Sequence, residues 1–229
     1  MRQCKFLHAL LWAALLGMRP AAGFAQTHEA GGIVALGYEK KIVKGLDFNL
    51  GGELRFDQNF MAFDRFKLSA GLDYSFLKKK RLKISVRGYY LLANKSDFFE
   101  NRGRVSAAVT YTEKFNQFRL SYRVRVQTTF YDESRSEHKF NPKTYLRNRL
   151  QLEYNFFAKP MKIYASTEFF LRLYQKNRCF IDNFRTELGW SYKFSQGSAV
   201  GLFLRADNEI QVKNPSNVYS LGITYNFKH

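Results

Sequence analysis

Phe184-Arg185-Thr186-Glu187-Leu188-Gly189-Trp190-Ser191-Tyr192-Lys193-Phe194 alternates between apolar and polar side chains. On an extended chain Phe184, Thr186, Leu188, Trp190, Tyr192 and Phe194 share one face. Arg185, Glu187, Gly189, Ser191 and Lys193 share the other. Period two marks a β-strand with one apolar face. The apolar face ends in Trp190, Tyr192 and Phe194, the residue types that gather where a membrane meets water.

The setting recurs along the chain. Tyr38, Tyr74, Tyr111, Tyr154, Tyr192 and Tyr225 follow one another at spacings of 36, 37, 43, 38 and 33 residues. An apolar residue stands two positions before each: Leu36, Leu72, Val109, Leu152, Trp190 and Ile223. Phe76, Phe156, Phe194 and Phe227 follow four of them by two. A period of this length suits a solenoid or propeller, but strict local alternation makes each unit a pair of strands. Tyr38, Tyr74, Tyr111, Tyr154, Trp190, Tyr192 and Tyr225 then form an aromatic girdle at one end of alternate strands.

Alternation places strands at 33–41, 46–57, 63–76, 82–93, 101–113, 117–131, 143–157, 161–175, 181–195, 199–212 and 217–228. Most exceed the 9–11 residues that a tilted membrane strand requires. A soluble sandwich alternates too, but eleven long strands in about 200 residues leave little room for Greek-key crossovers. Short turns fall at Ile42–Gly45, Leu77–Arg81, Lys114–Asn116, Ala158–Pro160 and Ser195–Ser198. Longer loops are expected at Gln58–Ala62, Asn94–Glu100, Asp132–Pro142 and Gln175–Phe180. The predicted fold is all-β: an antiparallel up-and-down transmembrane β-barrel of ten to twelve strands. Bacterial single-chain barrels have even counts, which leaves the place of the Tyr38 segment open.

Residues 1–25 read as a signal peptide. Arg2 and Lys5 precede an apolar stretch from Phe6 to Met18, and Gly23-Phe24-Ala25 offers a cleavage site before Gln26. About 13 apolar residues are too few to span roughly 30 Å of hydrocarbon. Residues 26–229 are expected to form one barrel domain in the outer membrane of a Gram-negative bacterium. Ser220, Gly222, Tyr225 and Phe227 fit the polar-x-Gly-x-x-aromatic-x-aromatic pattern that outer-membrane assembly machinery reads on a final strand. Lys228 and His229 depart from it by following Phe227.

The chain carries 37 Lys and Arg against 19 Asp and Glu. Without Arg2, Lys5 and Arg19 the excess is about +15. Export argues against nucleic acid as the partner; lipid, lipopolysaccharide phosphates or an anionic solute remain. The polar faces gather a lumen cluster of Arg119, Arg123, Arg125, Arg147, Arg149, Glu153, Glu168, Arg185 and Glu187. One reading is a salt-bridged plug in a narrow interior, which makes a structural or partner-binding barrel. Another is a narrow, anion-biased pore.

A third reading, an outer-membrane lipid hydrolase, needs a serine and a base within hydrogen-bond reach. After processing the chain has His28, His138 and His229, none on a mid-strand apolar face. His138 lies near Ser134 and Ser136 in a polar loop. Cys179 is the single cysteine left and falls in an expected loop. No spacing suggests a metal site or a cofactor, and no catalytic residues are assigned.

Tyr38-Glu39-Lys40-Lys41, Glu53-Leu54-Arg55-Phe56 and Tyr145-Leu146-Arg147-Asn148-Arg149-Leu150, after a signal peptide and an aromatic alternating strand, resemble the domain-of-unknown-function 2490 family. Its members are predicted outer-membrane barrels, mostly of the Bacteroidota. The resemblance covers roughly residues 27–229. It implies an outer-membrane location and brings no catalytic residues with it.

Overall fold

The structure, a computed structural model, describes residues 27–76, 81–95, 97–132, 142–175, 178–194, 197–210 and 215–229. The signal region lies outside them. Eleven strands follow in chain order. They are β1 (Thr27–Val43), β2 (Leu46–Asp57), β3 (Ala62–Phe76), β4 (Leu82–Asn94), β5 (Phe99–Phe115) and β6 (Phe118–Tyr131). Then come β7 (Lys143–Asn155), β8 (Met161–Gln175), β9 (Arg178–Lys193), β10 (Ser198–Glu209) and β11 (Ser216–Lys228).

Each strand pairs with its neighbours in sequence, and β1 pairs with β11 to close the barrel. Consecutive pairs are antiparallel; the closing pair is parallel, from Thr27 opposite Ser216 to Glu39 opposite Lys228. An odd count dictates this. In an up-and-down chain of eleven strands the first and last point the same way. The Tyr38 segment therefore belongs to the wall.

Lys228 and His229 extend this seam. The Lys228 ammonium bonds the Glu39 carboxylate. The His229 amide donates to the Glu39 carbonyl at 2.9 Å, and the Lys41 amide donates to the His229 carbonyl at 3.3 Å. The Tyr38 and Phe227 rings stack across the seam at 5.8 Å.

The molecule is apolar outside and polar inside. Leu36 is 62 % exposed and Leu188 59 %, while Glu168 is 2 % exposed and Glu100 1 %. Leu50, Leu68, Val86, Val109, Leu120, Leu150 and Ile223 continue the exposed belt around the wall. Such a belt in water would be a large adhesive surface; in a bilayer it meets hydrocarbon. Alternation makes this possible, since each strand sends every second side chain to the lumen. On β1 to β4 small residues (Gly52, Ala70, Gly88) dent the belt between Leu36, Leu50, Leu68 and Tyr90.

The connections differ from expectation at one end. Strands run further than alternation alone suggested, so β4–β5 are joined by residues 95–98 and β8–β9 by 176–177. Cys179 falls within β9 rather than a loop. The eleven residues between Tyr131 and Lys143 make the longest connection, and the six residues 210–215 join β10 to β11. The predicted contrast between short turns and long loops is thus mostly absent. Ladder hydrogen bonds were available to backbone that the sequence pattern had left unpaired.

One of these connections is strained. Gln58, Asn59 and Phe60 take positive φ of 46°, 60° and 71°, the left-handed region that L-residues avoid. The loop is held against β1 by the Asn59 amide, which donates to the Ala30 carbonyl at 2.9 Å. Phe60 lies over Gly32, where a Cβ would come 2.8 Å from the ring.

Candidate functional site

The chemistry of this barrel lies in its lumen, because the alternation that exposes leucines to lipid turns arginines and carboxylates inward. The nine cluster residues named from the sequence all lie on lumen-facing positions, and among the described residues all but Arg125 join ion pairs around four carboxylates. Arg119 and Lys162 pair with Glu153 at 3.1 and 3.2 Å near the tyrosine end. Arg123 and Arg147 share Glu168 at 2.8 and 2.7 Å. Arg149 and Arg205 share Glu187 at 3.7 and 2.8 Å, and Arg185 pairs with Asp207 at 2.5 Å.

Arg147 is the most constrained. Its Nη1 donates to Gln127 Oε1 at 2.8 Å, and Nε and Nη2 both donate to the Glu168 carboxylate. Its guanidinium also lies 4.1 Å from the centre of the Phe170 ring. Arg185 reaches the same ring at 5.1 Å. A bidentate guanidinium held by an amide and a ring has little freedom left.

Further lumen groups emerge from the fold. Glu100, expected in a loop, opens β5 and binds Arg102 at 2.5 Å. Its parity with Arg102 and Arg104 was a usable signal. Asp182 accepts from the Tyr145 hydroxyl at 3.0 Å. The register shift between Phe170 and Leu171 alters the pairing beside it, which simple alternation does not show. Tyr164 donates to Glu187 at 2.8 Å.

The lumen is unevenly filled. Away from the tyrosine end it holds a cavity of about 780 Å³. Among the described residues, 14 Arg and Lys and nine Asp and Glu line it. Toward the tyrosine end the lining gives way to buried side chains, including Asp73, Ser85, Ser106 and Glu153. Phe203 is 5 % exposed, and its ring occupies the space a Cβ on Gly222 would take. Tyr164 does the same over Gly189. Each ring fills a notch left by a glycine on the adjacent strand.

Of the proposed insertion residues, Ser220 and Gly222 face inward, and Tyr225 and Phe227 face outward. The girdle residues all lie at one end. Trp190 and Tyr192 stack at 6.2 Å, Phe118 and Tyr154 meet at 5.0 Å, and Phe194 and Tyr225 at 6.2 Å. Tyr74 stacks on Phe76 at 5.9 Å. The Tyr111 hydroxyl donates to Glu113 at 2.7 Å.

A family model described as "Protein of unknown function (DUF2490)" matches residues 34–218, from β1 into β11. The chain belongs to that family. The matched stretch begins before Tyr38 and so takes in the strand that makes the count odd. A solved structure, the anion-selective porin from Comamonas acidovorans, is similar at 12 % identity and a TM-score of 0.37. The likeness covers 80 % of this chain and 54 % of that one, so the chain spans about half the porin's length. Comparison with curated proteins finds no match.

The lumen of this DUF2490 barrel thus presents ion pairs together with a surplus of guanidinium. Such a surface attracts anions and repels cations. The hydrolase reading hinged on His138, which lies outside the described residues.

Proposed function

We propose that this protein is a non-catalytic outer-membrane barrel whose lumen admits anions to a cationic vestibule and restricts their passage with a packed floor. The observation that carries this reading is the cavity of about 780 Å³, with 14 basic against nine acidic residues around it. Four of the basic residues, Arg104, Arg125, Lys143 and Arg172, make no ion pair among the described residues. A surplus of fixed positive charge in a low-dielectric wall raises the local concentration of anions.

The location follows from the same reading. The exposed apolar belt suits lipid, the girdle suits an interface, and residues 1–25 suit export and cleavage after Ala25. Ser220, Gly222, Tyr225 and Phe227 serve insertion by the assembly machinery, and the tyrosine end faces the periplasm. Lipid and lipopolysaccharide are then the barrel's surroundings.

A second reading, a closed structural or partner-binding barrel, is favoured by the Phe203–Gly222 and Tyr164–Gly189 packing. Planar-bilayer recording separates the two. We expect small currents whose reversal potential in a salt gradient reports anion preference. Cation preference would sink the vestibule reading. Silence, persisting in a Phe203→Ala barrel with its floor opened, would leave the closed barrel.

A further inference from the structure

Four arginines form a block on β6 and β7, and their arrangement is unfavourable for a wall built only to brace itself. Arg123 stands directly opposite Arg149, and Arg125 directly opposite Arg147. Like charges in cross-strand register on one face repel. The block has few carboxylates to offset this. Glu168 serves both Arg123 and Arg147. Glu187 serves Arg149 at a long 3.7 Å and is bound more closely by Arg205.

Arg125 has none. It makes no ion pair among the described residues, and its Nε is buried without a hydrogen-bond acceptor. The Nε atoms of Arg123 and Arg149 are buried and unpartnered as well. Arg104, on the strand adjoining β6, spends its Nε on the Thr129 hydroxyl at 3.0 Å and pairs with no carboxylate among the described residues. All five arginines line the same cavity. A buried guanidinium without a counter-charge is costly unless something supplies one. Here the block's two carboxylates among the described residues, Glu168 and Glu187, are already shared, and Arg125 lines the cavity.

We infer that Arg125 and Arg104, with the cavity-lining guanidinium groups of Arg123 and Arg149 beside them, form a binding site for a divalent oxyanion, the phosphoryl group of a small solute. This rests on the reading of the lumen as an anion vestibule. The fork of a guanidinium matches phosphoryl oxygens in pairs. Two wholly unneutralised arginines favour a dianion over a monovalent carboxylate. Arg147, clamped by Glu168, Gln127 and Phe170, sets the position of the block and is a positioning residue.

The test uses the full barrel folded in detergent, titrated with inorganic phosphate by calorimetry in a phosphate-free, low-salt buffer. The expected result is one saturable site, weakened at least tenfold in Arg125→Gln and several-fold in Arg104→Gln. Lys40→Gln, on the outer surface, should bind as the parent does. Acetate should bind at least tenfold more weakly than phosphate; equal binding would overturn the dianion assignment. Heat-modifiable gel mobility provides a second readout. Without phosphate, Arg125→Gln should unfold at the same temperature as the parent or higher, because a repulsive charge is gone. Phosphate should raise the parent's midpoint and leave the variant's unchanged. A variant less stable without ligand would mark Arg125 as a brace and overturn the site, as would unaltered binding in Arg125→Gln or no saturable heat in the parent. Intact phosphate binding with cation-preferring currents would sink the passage and leave the site. Anion preference with no phosphate binding would sink the site alone.

Discussion

At the scale of single residues, the barrel inverts the usual rules of burial, and substitutions are expected to follow the inverted rules. Leu50 and Val124 lie on the lipid side of their strands. Leu50→Arg or Val124→Arg should cost about 2–4 kcal/mol near the bilayer midplane. Ser121→Arg, on the lumen face, should be milder. Folding into bilayers followed by gel mobility measures both, and equal sensitivity of the two faces would argue against a membrane belt. Inside, the engaged and unengaged arginines should differ. Arg147→Ala leaves Glu168 with Arg123 as its remaining ion pair among the described residues and removes the guanidinium from Phe170. Breaking a buried pair from one side costs about 3–5 kcal/mol, so this variant should unfold well below the parent. Which arginines point inward was legible from parity alone. Which carboxylate each one meets was not, because Arg147 and Glu168 lie 21 residues apart and Arg123 and Glu168 45. Such pairings depend on register and tilt, which a period-two pattern leaves free.

At the scale of strands, the sequence was informative to within a few residues. The second and eighth strands, read as 46–57 and 161–175, have those bounds in the structure. The first begins at Thr27 rather than residue 33, because Ala30, Gly31 and Gly32 carry no side chain large enough to display alternation. The β2–β3 connection was expected as a loop, but its left-handed run has no sequence signature such as glycine. It suggests a test of strain. Asn59→Gly should leave stability unchanged or raise it slightly, and Asn59→Val should lower it by about 1–2 kcal/mol. Thermal gel-shift midpoints decide the matter; a destabilised glycine variant would show that Asn59 matters for more than its backbone. The two ring-and-glycine notches behave as one layer. Gly222→Val should displace Phe203 and slow folding, whereas Phe203→Ala should preserve the wall and raise conductance.

At the scale of the whole molecule, an odd strand count separates the two ends of the chain. β1 starts at the end away from the tyrosines, and β11 finishes at the tyrosine end. With the tyrosine end in the periplasm, Thr27 and Met61 face outward from the cell, and Lys44 faces inward. Met61 is 91 % exposed and makes a good probe site. In a background with Cys4 and Cys179 replaced by serine, Met61→Cys should react with an impermeant maleimide on intact cells. Lys44→Cys should react only after the envelope is opened. The reverse pattern would turn the barrel upside down in the membrane. The topology itself was only partly legible. Alternation and length called for an up-and-down barrel, but the even-number rule argued against the parallel closure that the structure adopts.

The parallel seam also bears on the order in which the barrel is made. Every other ladder joins strands that are neighbours in sequence, so hairpins can form as the chain arrives. β1 has its second partner at the far end of the polypeptide, nearly 190 residues away, as the Glu39–Lys228 contact shows. Until β11 is delivered, the sheet has two raw edges, each a template for pairing with the wrong chain. Closure is therefore the most non-local step of folding and the slowest to be rewarded, and it is made through the parallel geometry that is somewhat weaker per residue. Amides of β1 that point toward β11 should be the first in the wall to exchange with deuterium, and removing Lys228 and His229 should slow closure while leaving the other ten ladders intact.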